Sequence, residues 1–319
     1  MRTSLLVSSI NFYKGNMKKD LLTLLDLTPN DVDTLIEKAK QLKSLRGKKK
    51  HPRPLEGKSL AMIFEKSSTR TRVSFEVAMW ELGGQSLYLN SQESQLGRGE
   101  TYADTARVLS RYVHGIVIRT FSQKNIEDLA EHASVPVING LSDLFHPVQI
   151  LADLLTIVEV KKDYRKLKIA YVGDGNNLAN SWIDASILLK FELNVACPRG
   201  FAPSAALLTQ IGTYPQISIL SDPVEAVKSA DVIYTDTWFS MGQKEDPTKK
   251  EKFLPFQINR ELLSHAASDA MILHCLPAHR GEEITNEVMD GPRSFIFDQA
   301  ENRLHMQKAI LSEFLGRAS

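Results

Sequence analysis

Hydroxyl side chains and arginines alternate in Ser68-Thr69-Arg70-Thr71-Arg72. This stretch follows an apolar run at 59–64 that reads as a buried strand. It precedes Val73-Ser74-Phe75-Glu76-Val77-Ala78-Met79-Trp80, whose apolar spacing suits a helix ending at Gly83-Gly84. The first backbone N–H groups of a helix lack intrahelical partners, and the helix dipole there favours anions. Hydroxyls add donors, and arginine adds a fork matched to phosphate oxygens. The plain alternative is a helix cap followed by two solvated arginines.

Further polar residues fall where apolar strands end. Arg119 closes the run 115–119, which leaves it partly desolvated and open either to an anion or to a structural ion pair. His146 precedes Pro147, a helix start, and Gln149 lies three residues on. Gln95 sits in a loop rich in glycine. Gly173-Asp174-Gly175-Asn176-Asn177 follows another strand and invites a dinucleotide reading. That reading fails, because Leu178 stands at the third glycine position and the next strand ends Val195-Ala196-Cys197 with no acid for a ribose. Asn176 and Asn177 instead suit an amino-acid head group, or simply cap the helix. Asp236 at a strand end can pair with an ammonium, and Ser240-Met241-Gly242 forms a loop able to close over a substrate. Cys275 ends another apolar strand. A buried core thiol is the default there, since His274 alternates to the opposite face and leaves no adjacent base.

The elements that must position these residues alternate. Strands are expected at 59–64, 86–90, 115–119 and 135–138, then at 168–172, 194–197, 217–220, 231–235, 271–275 and 294–298. Helices are expected near 70–82, 101–112, 123–133, 177–191, 203–211, 223–229 and 259–266. Thr28-Pro29-Asn30-Asp31 opens an earlier helix, and an amphipathic helix at about 302–315 closes the chain. Repeated βα units predict an α/β protein of two domains, each a mostly parallel sheet with helices on both faces. The long apolar helix from Pro147 sets the boundary near 150. Ligands of such sheets bind at the carboxyl ends of the strands. Seven polar loops, including 91–100, are therefore expected to converge on a cleft between the domains.

Composition narrows the functional classes. A net charge of +1 on 319 residues offers no global attraction to nucleic acid or membrane. The basic run 48–53 lacks interleaved aromatic residues and reads as a solvated loop. There is no Gly-Lys-Ser/Thr phosphate loop. The two cysteines, Cys197 and Cys275, imply neither a disulfide framework nor a metal site, and a cytoplasmic location is expected. No apolar run reaches the roughly 20 residues that span a bilayer. Residues 1–16 read as an extension outside the catalytic unit.

Taken together, Ser68-Thr69-Arg70-Thr71-Arg72, the Arg119 strand end and His146-Pro147-x-Gln149 resemble the aspartate/ornithine carbamoyltransferase family. Asp236 with Ser240-Met241-Gly242, His274-Cys275-Leu276-Pro277, and Glu301-Asn302-Arg303-Leu304-His305 resemble its ornithine-specific branch. The resemblance spans about 17–319. It implies a carbamoyl-phosphate-binding domain at 17–150, with the final helix (302–319) packed back on it, and an ornithine-binding domain at 151–301. It further implies that Ser68, Thr69, Arg70, Thr71, Arg119, His146 and Gln149 hold carbamoyl phosphate, with Cys275, Leu276 and Arg303 completing the pocket. Gln95 would reach the site of a neighbouring subunit in a homotrimer or an assembly of trimers. Asn177, Asp236, Ser240 and Met241 would hold L-ornithine, with Cys275, Arg119, His146 and Asp236 acting in catalysis. No metal or organic cofactor is called for. Other readings are the same chemistry on another amine, a nicotinamide oxidoreductase and a catalytically silent partner protein.

Overall fold

The computed structural model describes residues 19–48, 51–93, 95–239 and 246–316. The extension at 1–16, Ser240 and Met241 lie outside the described residues. The first half runs α1 (Pro29–Ser44), β1 (Ser59–Phe64), α2 (Thr69–Glu81), β2 (Gln85–Asn90), α3 (Tyr102–Leu109), β3 (Gly115–Arg119), α4 (Gln123–His132) and β4 (Val137–Leu141). α5 (Pro147–Lys161) leads to β5 (Lys168–Val172), α6 (Asn177–Leu189), β6 (Glu192–Ala196), α7 (Ala205–Ile211), β7 (Ile217–Leu220), α8 (Pro223–Val227) and β8 (Val232–Thr235). Then come α9 (Pro247–Phe253), α10 (Arg260–Leu263), β9 (Met271–His274), α11 (Asn286–Met289) and α12 (Ile296–Leu315).

The strands form two all-parallel sheets, in the orders β2-β1-β3-β4 and β7-β6-β5-β8-β9. Alternation along each strand assigns its two faces. Leu60, Met62 and Phe64 face a core shared with α1, α2, α5 and α12, whereas Ala61 and Ile63 face one shared with α3 and α4. In the second sheet, Ile169 and Tyr171 face α6, and Ala170 and Val172 face α8, α10 and α11. Both faces are covered, so the strands need apolar residues throughout. β1 and β3 are accordingly buried at every position. The large core that includes α5, α6 and α12 is continuous from one sheet to the other.

Residues 294–298, expected as a tenth strand, are not one. Only Ser294 makes an isolated bridge, to Ile272, and α12 begins at Ile296, earlier than expected. Ile296, Gln299, Arg303, Met306 and Ile310 are buried, whereas Phe297 is 61% exposed. That spacing of three and four residues is helical, and a five-residue apolar window is too short to separate it from a strand. α12 packs on α1, α2 and α5. Its fully buried Met306, Ile310 and Leu311 each contribute about 1.5–3 kcal/mol by burial. The helix thereby carries polar side chains from its middle into the space between the sheets.

Candidate active site

The strand order of each sheet reverses once, between β1 and β3 and between β5 and β8. Crevices at such switch points lie outside the carboxyl ends of the strands, where the diverging connections leave room. The first receives the turn after β1 and the end of β3, with Phe64 paired to Arg119. The second receives the turn after β5 and the end of β8. The two crevices open into a single cavity of about 380 Å³. Its lining brings together Ser68, Thr69, Arg70, Thr71, Arg119, His146, Gln149 and Arg303 with Asn177, Asp236, Cys275 and Leu276. The 91–100 loop, with the exposed Gln95, does not join it. The remaining expected loops do, as far as they are described.

Ser68 caps α2, accepting from the Thr71 N–H at 3.3 Å. Its hydroxyl also donates to Thr71 Oγ1 at 3.0 Å, which accepts a second bond from Arg303 Nη2 at 2.7 Å. With both acceptor positions taken, the Thr71 hydroxyl retains its own hydrogen to donate. Arg303 also donates from Nη1 to Gln149 Oε1. Gln149 in turn donates to Asp153 at 2.8 Å.

Arg119 is held by a β-bulge. The register of β3 against β4 shifts between Ile118 and Arg119, so that Arg119 pairs with Leu141. Bulges re-aim side chains. The Arg119 side chain is only 3% exposed, and its Nε has no hydrogen-bond partner among the described residues. Desolvation, together with the like charges of Arg303 and Arg70, pushes its pKa down to about 9. It therefore remains a cation at neutral pH. Burial, then Arg303 and Arg119, hold the His146 imidazole well below its usual range, so it is neutral. Its Nδ1 is buried without a partner. Clustered buried cations with unmet donors are the chemistry that receives an anion.

The opposite wall is acidic. Asp236 accepts from the Cys275 thiol at 3.0 Å, from Asn176 Nδ2 at 2.8 Å and from the Thr237 N–H at 2.8 Å. Burial, reinforced by Asp236, pushes the Cys275 thiol well above its ordinary pKa, so it is a neutral S–H donor. Asn177 lines the cavity and is oriented by donation to the Ser142 carbonyl at 2.7 Å. Leu276 adopts φ +60°, a left-handed conformation unfavourable for a leucine. The imidazole of His274 secures this turn, accepting from the Leu276 N–H at 2.9 Å on Nδ1 and meeting Glu283 at 3.0 Å on Nε2.

Sequence reasoning passed over several participants. Lys66 lines the cavity, pairs with Asp143 and lies 4.3 Å from the Phe121 ring centroid. Its place in the same turn as Ser68 was the available signal. Asn176 both caps α6 and orients Asp236. Asp153 was visible as the one acid within the apolar stretch 150–157 of α5. Among the described residues, Asp236, His274 and Cys275 place ligand-type atoms within 4.8 Å of one another. The bonds of His274 to Leu276 and Glu283 commit its ring nitrogens elsewhere.

Two family models cover most of the chain. The carbamoyl-P binding domain of aspartate/ornithine carbamoyltransferase matches residues 19–159, and the Asp/Orn binding domain matches residues 165–314. The chain is 57% identical over 298 residues to the ornithine carbamoyltransferase of Syntrophus aciditrophicus, covering 92% of this chain and 99% of that protein. It is 54% identical over 304 residues to that of Pyrococcus abyssi, covering 93% and 96%. The solved ornithine carbamoyltransferase of Pyrococcus furiosus superposes with a TM-score of 0.89 at 53% identity, covering 94% of this chain and 98% of that one.

Proposed function

The chain belongs to the aspartate/ornithine carbamoyltransferase family, and from that premise we propose that it transfers the carbamoyl group of carbamoyl phosphate to the δ-amine of L-ornithine, giving L-citrulline and phosphate. The observation that carries this reading is the division of the cavity. One wall gathers Arg70, Arg119 and Arg303 at a helix N-terminus, and the other presents Asp236 beside Cys275. An acyl phosphate and a diamino acid need those two environments side by side.

Carbamoyl phosphate binds first wall to phosphate. The N-terminal amides of α2, the Ser68 and Thr69 hydroxyls and Arg70 hold the phosphoryl oxygens. Arg119, neutral His146 and the free hydrogen of Thr71 point donors at the carbonyl oxygen, where charge develops in the tetrahedral intermediate. Gln149, Arg303 and the backbone at Cys275-Leu276 complete the carbamoyl pocket. Asn177, Asp236, Ser240 and Met241 hold the amino-acid end of ornithine. A free δ-amine has a pKa of about 10.4, so it arrives mostly protonated. The cationic wall disfavours the ammonium and favours the nucleophilic amine. Cys275 and Asp236 orient that amine and handle its proton. The high pKa of the thiol supports a hydrogen-bonding role for Cys275, without a covalent intermediate. Attack on the carbonyl carbon forms the C–N bond, the C–O bond to phosphate breaks, and Arg70 stabilises the departing anion.

Arg70→Ala is expected to abolish measurable carbamoyl phosphate binding with an unchanged melting temperature, because Arg70 is exposed at the helix start and packs in no core. Calorimetric titration checks this, and normal turnover in the variant would remove the phosphate role. Cys275→Ala is expected to weaken ornithine use and displace the pH–rate profile while the protein stays folded. An unchanged profile would take Cys275 out of the mechanism.

The exposure of Gln95, in the loop that follows the edge strand β2, supports a homotrimer in which Gln95 reaches a neighbouring site. Sedimentation analysis tests the mass. A cytoplasmic enzyme of arginine metabolism is the setting we favour. Among the described residues no helix is long and apolar enough to cross a membrane. The decisive assay offers carbamoyl phosphate with ornithine, aspartate, putrescine, lysine or N-acetylornithine. Citrulline formation with ornithine alone supports both walls, and turnover of another amine overturns the roles of Asp236 and Cys275.

A further inference from the structure

Behind the cavity, and outside its lining, a buried carboxylate ties its two walls together. Asp153 lies on α5, the helix between the two sheets, and is 0% exposed. Its Oδ1 accepts from Gln149 Nε2 at 2.8 Å and from Gln299 Nε2 at 2.7 Å. The other oxygen, Oδ2, has no partner among the described residues. An amide has two unlike ends, and a carboxylate oxygen that accepts both Nε2 groups decides which way each amide faces. Gln149 must then turn Oε1 outward, where it accepts from Arg303 Nη1. Gln299 must turn its Oε1 to the opposite side, where it accepts from the His274 N–H at 2.9 Å. His274 is the last residue of β9, immediately before Cys275 and the Leu276 turn.

We propose that Asp153 is a positioning residue for both halves of the reaction, fixing Arg303 through Gln149 on the anion side and the Cys275-Leu276 turn through Gln299 and His274 on the amine side. This rests on the carbamoyl transfer proposed above. Asp153 touches neither substrate site, since it does not line the cavity. Tyr234, whose hydroxyl lies 3.3 Å from Gln299 Nε2, closes the cluster from β8. Burial raises the Asp153 pKa to about 7, yet Oδ1 remains an acceptor whether or not the group is protonated. Without that acceptor, either amide can flip and present a donor to a donor, to Arg303 in one case and to the His274 N–H in the other. Such a mismatch inside a buried network releases both groups from their positions.

The two arms make the test selective. Asp153→Leu removes the shared acceptor, Asp153→Asn retains an acceptor oxygen, and Gln299→Leu cuts only the amine-side arm. Phosphate affinity is read by calorimetric titration with carbamoyl phosphate in the absence of ornithine, which needs no turnover and reaches the carbamoyl pocket that Gln149 and Arg303 complete. Ornithine KM and kcat are read at saturating carbamoyl phosphate, and thermal melting reports folding. Gln299→Leu is expected to keep phosphate affinity within about twofold while raising ornithine KM or lowering kcat about tenfold. Asp153→Leu is expected to lose about tenfold in both phosphate affinity and ornithine use, with Asp153→Asn between it and the wild type. A folded Asp153→Leu protein with wild-type phosphate affinity and ornithine KM overturns the proposal. So does a Gln299→Leu protein that loses phosphate affinity as much as ornithine use, which remains decisive if Asp153→Leu does not fold. If the wild type makes no citrulline, the carbamoyl-transfer reading fails, whereas the phosphate titrations still judge the Asp153–Gln149–Arg303 arm.

Discussion

Arg119→Met is expected to lower kcat by about 100- to 1,000-fold, the usual loss for one preorganised donor to a developing oxyanion, while the melting temperature of the ligand-free protein holds or rises. The two effects have one cause. Arg119 is buried, its Nε is unpartnered among the described residues, and like charges lie near it. A buried cation without a counter-ion opposes folding, and an apolar side chain of similar length relieves that penalty. The linkage has a definite sign. The folded pKa of about 9 lies below the ordinary arginine value of the unfolded chain, so the unfolded chain binds more protons between them. The penalty is therefore fully present at every pH below about 9 and fades only as pH rises above that toward the ordinary arginine range. A bound anion removes it at neutral pH. Phosphate should accordingly raise the melting temperature of the wild type by mass action and do so much less in Arg119→Met. Calorimetric scans with and without phosphate, beside steady-state rates, check both halves. A variant that is clearly destabilised and still active would mean that Arg119 serves packing.

Asp236→Asn is expected to reduce kcat/KM for ornithine by about 10- to 100-fold, the range for loss of a charge-assisted hydrogen bond. Affinity for phosphate should stay near the wild-type value. The substitution preserves shape, and an oxygen kept at the Oδ1 position still meets both the Thr237 N–H and the Cys275 thiol. What disappears is the negative charge facing an ammonium, and the new amide donor, in the place of Oδ2, meets the Asn176 amide donor. The loss should therefore fall on the amine substrate. Initial rates with each substrate varied in turn distinguish the outcomes. An equal loss of phosphate affinity would show that the two walls are not separable, and would remove Asp236 as the ornithine countercharge.

Much of this was open to reading in the chain. β1, β3, β5 and β8 are short, largely apolar runs that lead into polar turns, and a strand buried on both faces has to be apolar throughout. Ser68 announces its cap because a hydroxyl before an apolar helix has few other uses. The stretch 294–298 went the other way: its apolar residues satisfy both periods, and only packing on α1, α2 and α5 selects the helix. Asp153 stood out as the one acid in an apolar stretch, but its pairing with Gln299 was not legible, because 146 positions separate them.

The sequence by itself determined the local chemistry: which residue types sit at strand ends, that arginines and hydroxyls share a helix start, and that an acid and a thiol end two later strands. Those are short-range facts, set by alternation, caps and turn composition within a few residues. Only the tertiary structure decided that β1 lies beside β3 and β5 beside β8, so that both reversals of strand order face one cavity. It alone brought Arg303, from α12, onto Thr71 and Gln149. It also removed water from Arg119 and His146, shifting their protonation. The physical reason is that strand order, helix docking and desolvation arise from contacts between segments far apart in the chain, which no window along it contains.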